Sequence, residues 1–364
     1  MKLLSCSVLS FLTVLAVAAT DSCNCGFTST VNDQSVLFTE AFETDFRHVA
    51  DLKPSEWRPQ MYNKTAAASH GPYGRLYSNA TTLPNTVGSD AGLQLVVSSA
   101  IVDTLVPCAE VAAKRRDFFY GTYRVGMKLS NESGTCAAFY WYFNDTQEID
   151  IEFLSKDFNP SNNSYPVNIV LHSPLSLATG FDAVKAGTWT VAYLPFNPAE
   201  GFHEYRFDFV QAAVYFYADG TYLAEMKGLA VPTTGGKLLL AHWSNGKAAW
   251  SGGPPKQDSV MTVQYVKAYF NSSEPGVVEA AQDRCDAHGM TCAIPGMTEA
   301  KDLDSGAAFF NLTSANGGSG SAGGSGSGES TSTSRSGGGE NSRSTRGLGS
   351  LLTASLMAGF LLSL

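Results

Sequence analysis

Positive charge is scarce in this sequence: 24 Lys and Arg stand against 33 Asp and Glu, a formal net charge of −9. With no basic patch to neutralise phosphates, a nucleic-acid partner is not expected. Metal-binding patterns are missing too. Cys23 and Cys25 lack the two-residue spacer of a zinc site, and no His follows at finger spacing. No EF-hand loop is present. Neither a bound metal nor a cofactor is expected. No convincing long helix can be read, and long apolar runs are confined to the two ends.

Those ends read as addresses rather than fold. The apolar run after Lys2, with Val17 and Ala19 small enough for cleavage after Ala19, reads as a signal peptide, 1–19. At the other end a hydrophobic tail, 348–364, follows a polar spacer and small residues, the pattern of a GPI-anchor signal attached between Ser336 and Ser342. A plain C-terminal membrane helix is the alternative. Residues 317–347 are almost all Gly, Ser and Thr and read as a disordered stalk. The folded part is then a β domain, 20–273, followed by a small Cys-containing appendage, 274–316. Such a chain is expected to be secreted, held at the cell surface by its anchor, and monomeric.

Export makes the cysteines readable. Cys6 leaves with the leader, so Cys23, Cys25, Cys108, Cys136, Cys285 and Cys292 remain for disulfides. Pairing Cys108 with Cys136, and the other four across the two ends of the domain, is the expectation. Sequons at Asn63, Asn79, Asn131, Asn144, Asn162, Asn271 and Asn311 are glycosylation candidates that mark exposed turns.

The interior looks all-β. Short runs such as "GTYRVGMKL", "CAAFYWYF", "EIDIEFL", "VNIVLHS", "HEYRFDFV" and "KLLLAHW" are rich in β-branched and aromatic residues and bounded by Gly, Pro, Asn or Asp. Asp219-Gly220 between two such runs marks a tight hairpin. Asn131–Gly134 and Asn144–Thr146 read as two more turns, which would put "EIDIEFL" in the middle of a meander. Many short antiparallel strands in one large domain point to a sandwich or jelly roll.

In "QEIDIEFL" a period of two puts Glu148, Asp150 and Glu152 on one face and Ile149, Ile151 and Phe153 on the other. Burying the apolar face fixes the register, because a one-residue slip would bury three charges. Three readings of the acidic face stand: a solvated face, a metal site, or a carboxylate pair flanking a glycosidic bond. Acidic residues are poor strand formers and stacked like charges repel, which disfavours the first. In-line spacing on a straight strand does not wrap an ion, which disfavours the second. The Cα atoms of Glu148 and Glu152 should lie about 13 Å apart, so side chains leaning over Asp150 bring the carboxyls into or near the retaining range.

"EIDIEFLSKD" resembles the E-x-D-x-E strand of glycoside hydrolase family 16, especially lichenases and fungal wall transglycosylases. "FYGTYRVGMK", "FHEYRFDF", "VPTTGGKLLLAHW" and "VQYVKAYF" continue the resemblance from about Phe38 to Phe270. It implies a concanavalin A-like jelly roll with a concave substrate-binding sheet. It implies Glu148 as nucleophile, Glu152 as acid and base, and Asp150 between them. It also implies a sugar-stacking Trp243 and a substrate-binding Glu110, while Trp141 and His172 are candidates to reach the cleft. The departures are Thr146 and Gln147, where lichenases carry Trp-Asp, and Gln264, where the family has a calcium-binding Asp. The implied activity is an endo-β-1,3(4)-glucanase, or a transglycosylase joining β-glucan to chitin. A non-catalytic lectin-like wall protein is the reading from another class.

Overall fold

The structure, a computed structural model, describes residues 23–310 apart from 181, 287 and 288. The expected leader, stalk and anchor tail, and the sequon at Asn311, lie outside the described residues.

In chain order the strands are β1 (Gly26–Val31), β2 (Gln34–Phe38), β3 (Glu40–Asp45), β4 (Trp57–Pro59), β5 (Tyr62–Lys64), β6 (Gly74–Tyr77), β7 (Thr82–Asn85), β8 (Gly92–Val97), β9 (Leu105–Ala113), β10 (Phe118–Lys128), β11 (Cys136–Asn144), β12 (Gln147–Leu154), β13 (Pro166–His172), β14 (Trp189–Tyr193), β15 (His203–Val210), β16 (Ala213–Ala218), β17 (Thr221–Lys227), β18 (Lys237–Trp243), β19 (Ser259–Ser272) and β20 (Thr291–Ala293). Two sheets pack face to face. One is nine-stranded, ordered β14-β13-β12-β11-β18-β9-β6-β5 with β4 also on β9. The other is eight-stranded, ordered β17-β16-β15-β10-β19-β8-β7 with β3 also on β19. β10 and β11 belong to different sheets, so Asn131–Gly134 is a crossover and not the hairpin expected from its turn residues. Asp219-Gly220 does close the β16–β17 hairpin.

Alternation along each strand builds the core. Phe139 and Trp141 of β11 and Ile149, Ile151 and Phe153 of β12 point inward against Tyr205, Phe207 and Phe209 of β15. Ring pairs Phe139–Phe207, Trp141–Phe209 and Phe153–Tyr205 lie 5.2, 5.4 and 4.7 Å apart. Each such side chain contributes roughly 1.5–3 kcal/mol by burial, and together they hold the other face of β12 outward.

A small sheet, β2-β1-β20, joins the two ends of the described chain. Cys23 is bonded to Cys292 and Cys25 to Cys285. The sequence separations of 269 and 260 mean that the first bridge closes a very long loop and the second only tightens the same junction. From there the chain runs over the outer face of the eight-stranded sheet. Arg124 Nη1 donates to the Pro295 and Gly296 carbonyls at 2.8 and 2.7 Å, and the Phe310 amide donates to Glu43 at 2.9 Å.

The expected Cys108–Cys136 bond is not formed; both are buried free thiols. Cys136 pairs with Trp243 across one side of β18. Cys108 lies one place before the Ala109–His242 pair on the other side. The two cysteines are therefore two strand spacings apart, about 9–10 Å, too far to bridge.

Candidate active site

The outer face of the nine-stranded sheet carries a groove with about 520 Å³ of space, including the part open to solvent. Glu148, Asp150 and Glu152 all line it. They are only 4, 2 and 1 % exposed, so burial makes their carboxyls resist ionisation. Burial pushes Glu148 and Glu152 up to about 8 and Asp150 well above the usual carboxylate range, with the charges of Glu148 and Glu152 adding to the effect. Asp150 keeps its proton and shares it with Glu148, which offsets part of the rise at Glu148. The three titrate as one set.

Sheet register explains the hollow between them and the far wall. Glu152 pairs with Ala138, Ala138 with Ala241, and Ala241 with Glu110. Small residues in the middle of that row leave space that the neighbouring row, Asp150–Tyr140–Leu239, does not. Glu110 is fixed at the far side by Tyr140 Oη at 3.0 Å and Tyr62 Oη at 3.3 Å. The wall is completed by Lys64, Arg75, Tyr77, Tyr142 and Trp243.

Trp243 is 1 % exposed, and the Arg75 guanidinium lies over its ring at 4.4 Å. The ring therefore meets the groove with a cation against it and not as the open sugar platform the resemblance implies. Trp141 is in the core, where its Nε1 donates to the Phe118 carbonyl at 2.8 Å. It has the parity of Ile149 and not that of Glu148, so the expectation that it reaches the cleft is corrected. His172 is buried opposite Glu148, and burial lowers it to about 4, so it is neutral near pH 7. One donor atom each from Glu148, Asp150 and His172 lies within 4.8 Å of the others, a set that could hold a cation only by occupying two members of the triad.

Several groove residues escaped the sequence reading: Lys64, Arg75, Tyr62 and Tyr77 come from two short strands in a stretch that reads as turns and sequons. Tyr140 and Tyr142 were within reach of it, because they share the parity of Ala138 opposite the carboxylates. Cys136 also faces the groove side, and its thiol donates to Glu152 Oε1 at 3.4 Å. Gln147, in place of the family's Asp, accepts from the Thr233 amide at 3.0 Å and pins a neighbouring loop. Asn63, Asn79, Asn131, Asn144 and Asn162 are exposed. Asn271 is half-buried and accepts from the Thr39 amide at 3.1 Å.

A β-sandwich with protonatable carboxyls stacked along one groove-floor strand is the architecture of an enzyme that works on glycosidic bonds. The family model "Glycosyl hydrolases family 16" matches residues 78–267, just over half of the chain, and the chain belongs to that family. It is 30% identical over 228 residues to a beta-glucanase of Paenibacillus macerans, covering 60% of this chain and 89% of that one. In fold it is similar to an endo-beta-1,3-glucanase from Pyrococcus furiosus, with a TM-score of 0.51 at 15% identity, covering 67% of this chain and 98% of that one. It is likewise similar to the catalytic domain of a laminarinase from Thermotoga petrophila, with a TM-score of 0.50 at 16% identity, covering 63% of this chain and 96% of that one.

Proposed function

We propose that the protein is a retaining endo-β-glucanase acting on cell-wall β-1,3(4)-glucan. The observation that carries the reading is the row of Glu148, Asp150 and Glu152 on the floor of one groove, with burial raising all three carboxyls and Asp150 donating a hydrogen bond to Glu148. In the first step the Glu148 carboxylate forms a bond to the anomeric carbon. The glycosidic C–O bond breaks as Glu152 gives its proton to the departing oxygen. In the second step Glu152 takes a proton from water, whose oxygen attacks the anomeric carbon and releases Glu148. The Asp150 proton on Glu148 tempers its charge before attack and after release. Proton transfer by a positioned group of this kind contributes about 10²–10⁴-fold to rate.

The name of the Paenibacillus macerans relative supports the substrate class. Four disulfide-bonded cysteines and the exposed sequons support an exported, surface-held protein. Release of the protein from intact cells by a phosphatidylinositol-specific phospholipase tests the anchor. For the activity, purified protein is incubated with laminarin and with mixed-linkage β-glucan while the first-formed anomer is followed by NMR. Products that appear as the β anomer from wild type, and not from Glu148→Gln, are expected. The absence of any cleavage or transfer would leave only the lectin-like reading. Labelling of added chitin oligosaccharides without new reducing ends would assign the second step to a sugar acceptor in place of water.

A further inference from the structure

Arg75 is the odd member of the groove. It is 2 % exposed, yet among the described residues it makes no ion pair with a carboxylate. Burial of a charge is costly; here the surroundings, Tyr77 foremost and Glu110 across the groove among them, offset that cost and hold the guanidinium charged. Its guanidinium has five N–H donors. Nε donates to Ser69 Oγ at 3.4 Å and Nη1 to Tyr77 Oη at 3.1 Å. Three N–H groups are left, on a side chain that lines the groove. The flat cation is held rigidly, sandwiched against Trp243 at 4.4 Å and close to the Tyr77 ring. Its position on β6, beside Lys64 of β5, comes from pairing that runs parallel to β9.

We propose that Arg75 is a specificity-determining residue that grips a glucosyl unit through a pair of hydroxyls, its N–H fork doing the work expected of an open Trp243 face. The inference rests on the β-glucanase reading above. With the guanidinium on the indole, the sugar at this position is held by directed hydrogen bonds. Stacking on an indole tolerates many ring orientations; a fork demands two acceptors at fixed spacing. Recognition here therefore depends on which hydroxyls the linkage leaves free and equatorial. Arg75 acts on binding, and its charge, which also draws the Glu152 carboxyl down against burial, is kept in Arg75→Lys.

The test compares full-length wild type with Arg75→Lys and Arg75→Met on β-glucan oligosaccharides of three to six units. Arg75→Lys keeps the charge and removes the fork. Loss of hydrogen bonds to a charged donor predicts a KM about 10–100-fold higher, with kcat within about threefold and the pH profile unmoved. Because Arg75→Met could fail to fold, oligosaccharide binding is also measured by calorimetry in the Glu148→Gln background, with and without Arg75→Lys; the same fold-change in Kd is expected. Active wild type with KM and Kd of Arg75→Lys within twofold overturns the proposal and leaves the glucanase reading intact. A parallel fall in kcat and thermal stability with KM unchanged assigns Arg75 a structural role and also overturns it. Wild type that neither cleaves nor binds any of the oligosaccharides overturns both readings together.

Discussion

Glu110 and Glu152 stand on one transverse row of the nine-stranded sheet, three strands apart, with only Ala138 and Ala241 between them. At about 4.8 Å per strand this is a span of roughly 14 Å, wide enough for sugar rings to lie across β11 and β18. The open space between the two carboxyls thus depends on a pair of methyl groups. Ala241→Phe fills the hollow from the side away from the main core, since Leu238 and Leu240 face the other way, and presses on the second buried cluster that Ala241 forms with Ala138, Tyr77 and Trp243. The expected result is a KM for polysaccharide at least about tenfold higher, because a side chain that displaces one hydrogen-bonded ring forfeits on the order of 1.5 kcal/mol or more. Steady-state kinetics beside a thermal melt check it; an unchanged KM would show that the glycan does not cross these strands.

Glu152 is expected to act protonated, and burial holds its carboxyl up to about 8. Glu148, held up to about 8 as well, has to lose its proton to attack, so activity should follow a narrow bell with its alkaline limb set by loss of the Glu152 proton as pH rises through about 8. Glu152→Gln should lower kcat on polysaccharide by about 10²–10⁴-fold and abolish that alkaline limb. Aryl glycosides with a good leaving group need little protonation, so they should lose far less in their first step. Equal losses on both substrates would remove Glu152 from the acid role.

The same raised carboxyls make stability depend on pH. An unfolded Glu titrates near 4.3, whereas Glu148 and Glu152 titrate at about 8 in the fold. The folded state thus binds protons more tightly than the unfolded one. The stabilisation is complete below about pH 4 and is lost as pH rises through about 8. Glu148→Gln and Glu152→Gln remove part of this penalty. Each should melt at least about 3 °C above wild type at pH 8, with the difference vanishing near pH 4. Calorimetric melts across that range measure it, and a difference independent of pH would contradict the assignment.

How much was legible in the sequence follows from what each residue answers to. The triad was readable because the pleat alone decides its face, and Ile149, Ile151 and Phe153 leave one register possible. Trp141 carried the same signal, since it alternates with Tyr140 and Tyr142, but the sequence alone left it open between core and cleft. Arg75 and Lys64 were not readable at all. They reach the groove through two strands of three and four residues, one paired in parallel with β9. No local pattern announces such a long-range pairing. The Cys108–Cys136 expectation failed for a related reason: both lie opposite Trp243, on strands that sequence order does not reveal as next-but-one neighbours.

Those two free thiols lead to the last prediction. Cys136 donates to Glu152 Oε1 at 3.4 Å, and burial pushes its own pKa well above the ordinary value, so it stays a donor throughout the working range. A donor to the carboxylate favours the ionised form and draws the Glu152 pKa down against the larger effect of burial. Cys136→Ala should therefore move the alkaline limb of kcat/KM upward by roughly half a unit, a thiol being a weak donor. Cys136→Ser offers a hydroxyl donor and should bring the limb back. Cys108→Ala should leave it in place, because the Cys108 thiol donates to the Val106 carbonyl at 3.2 Å and not to the triad. Alkylation followed by mass spectrometry supplies the companion check. Cys108 and Cys136 should both label only after unfolding, with Cys23, Cys25, Cys285 and Cys292 protected until the disulfides are reduced. A limb that shifts equally in Cys108→Ala and Cys136→Ala would mean that loosened packing around Trp243, and not the thiol contact, sets the proton affinity of Glu152.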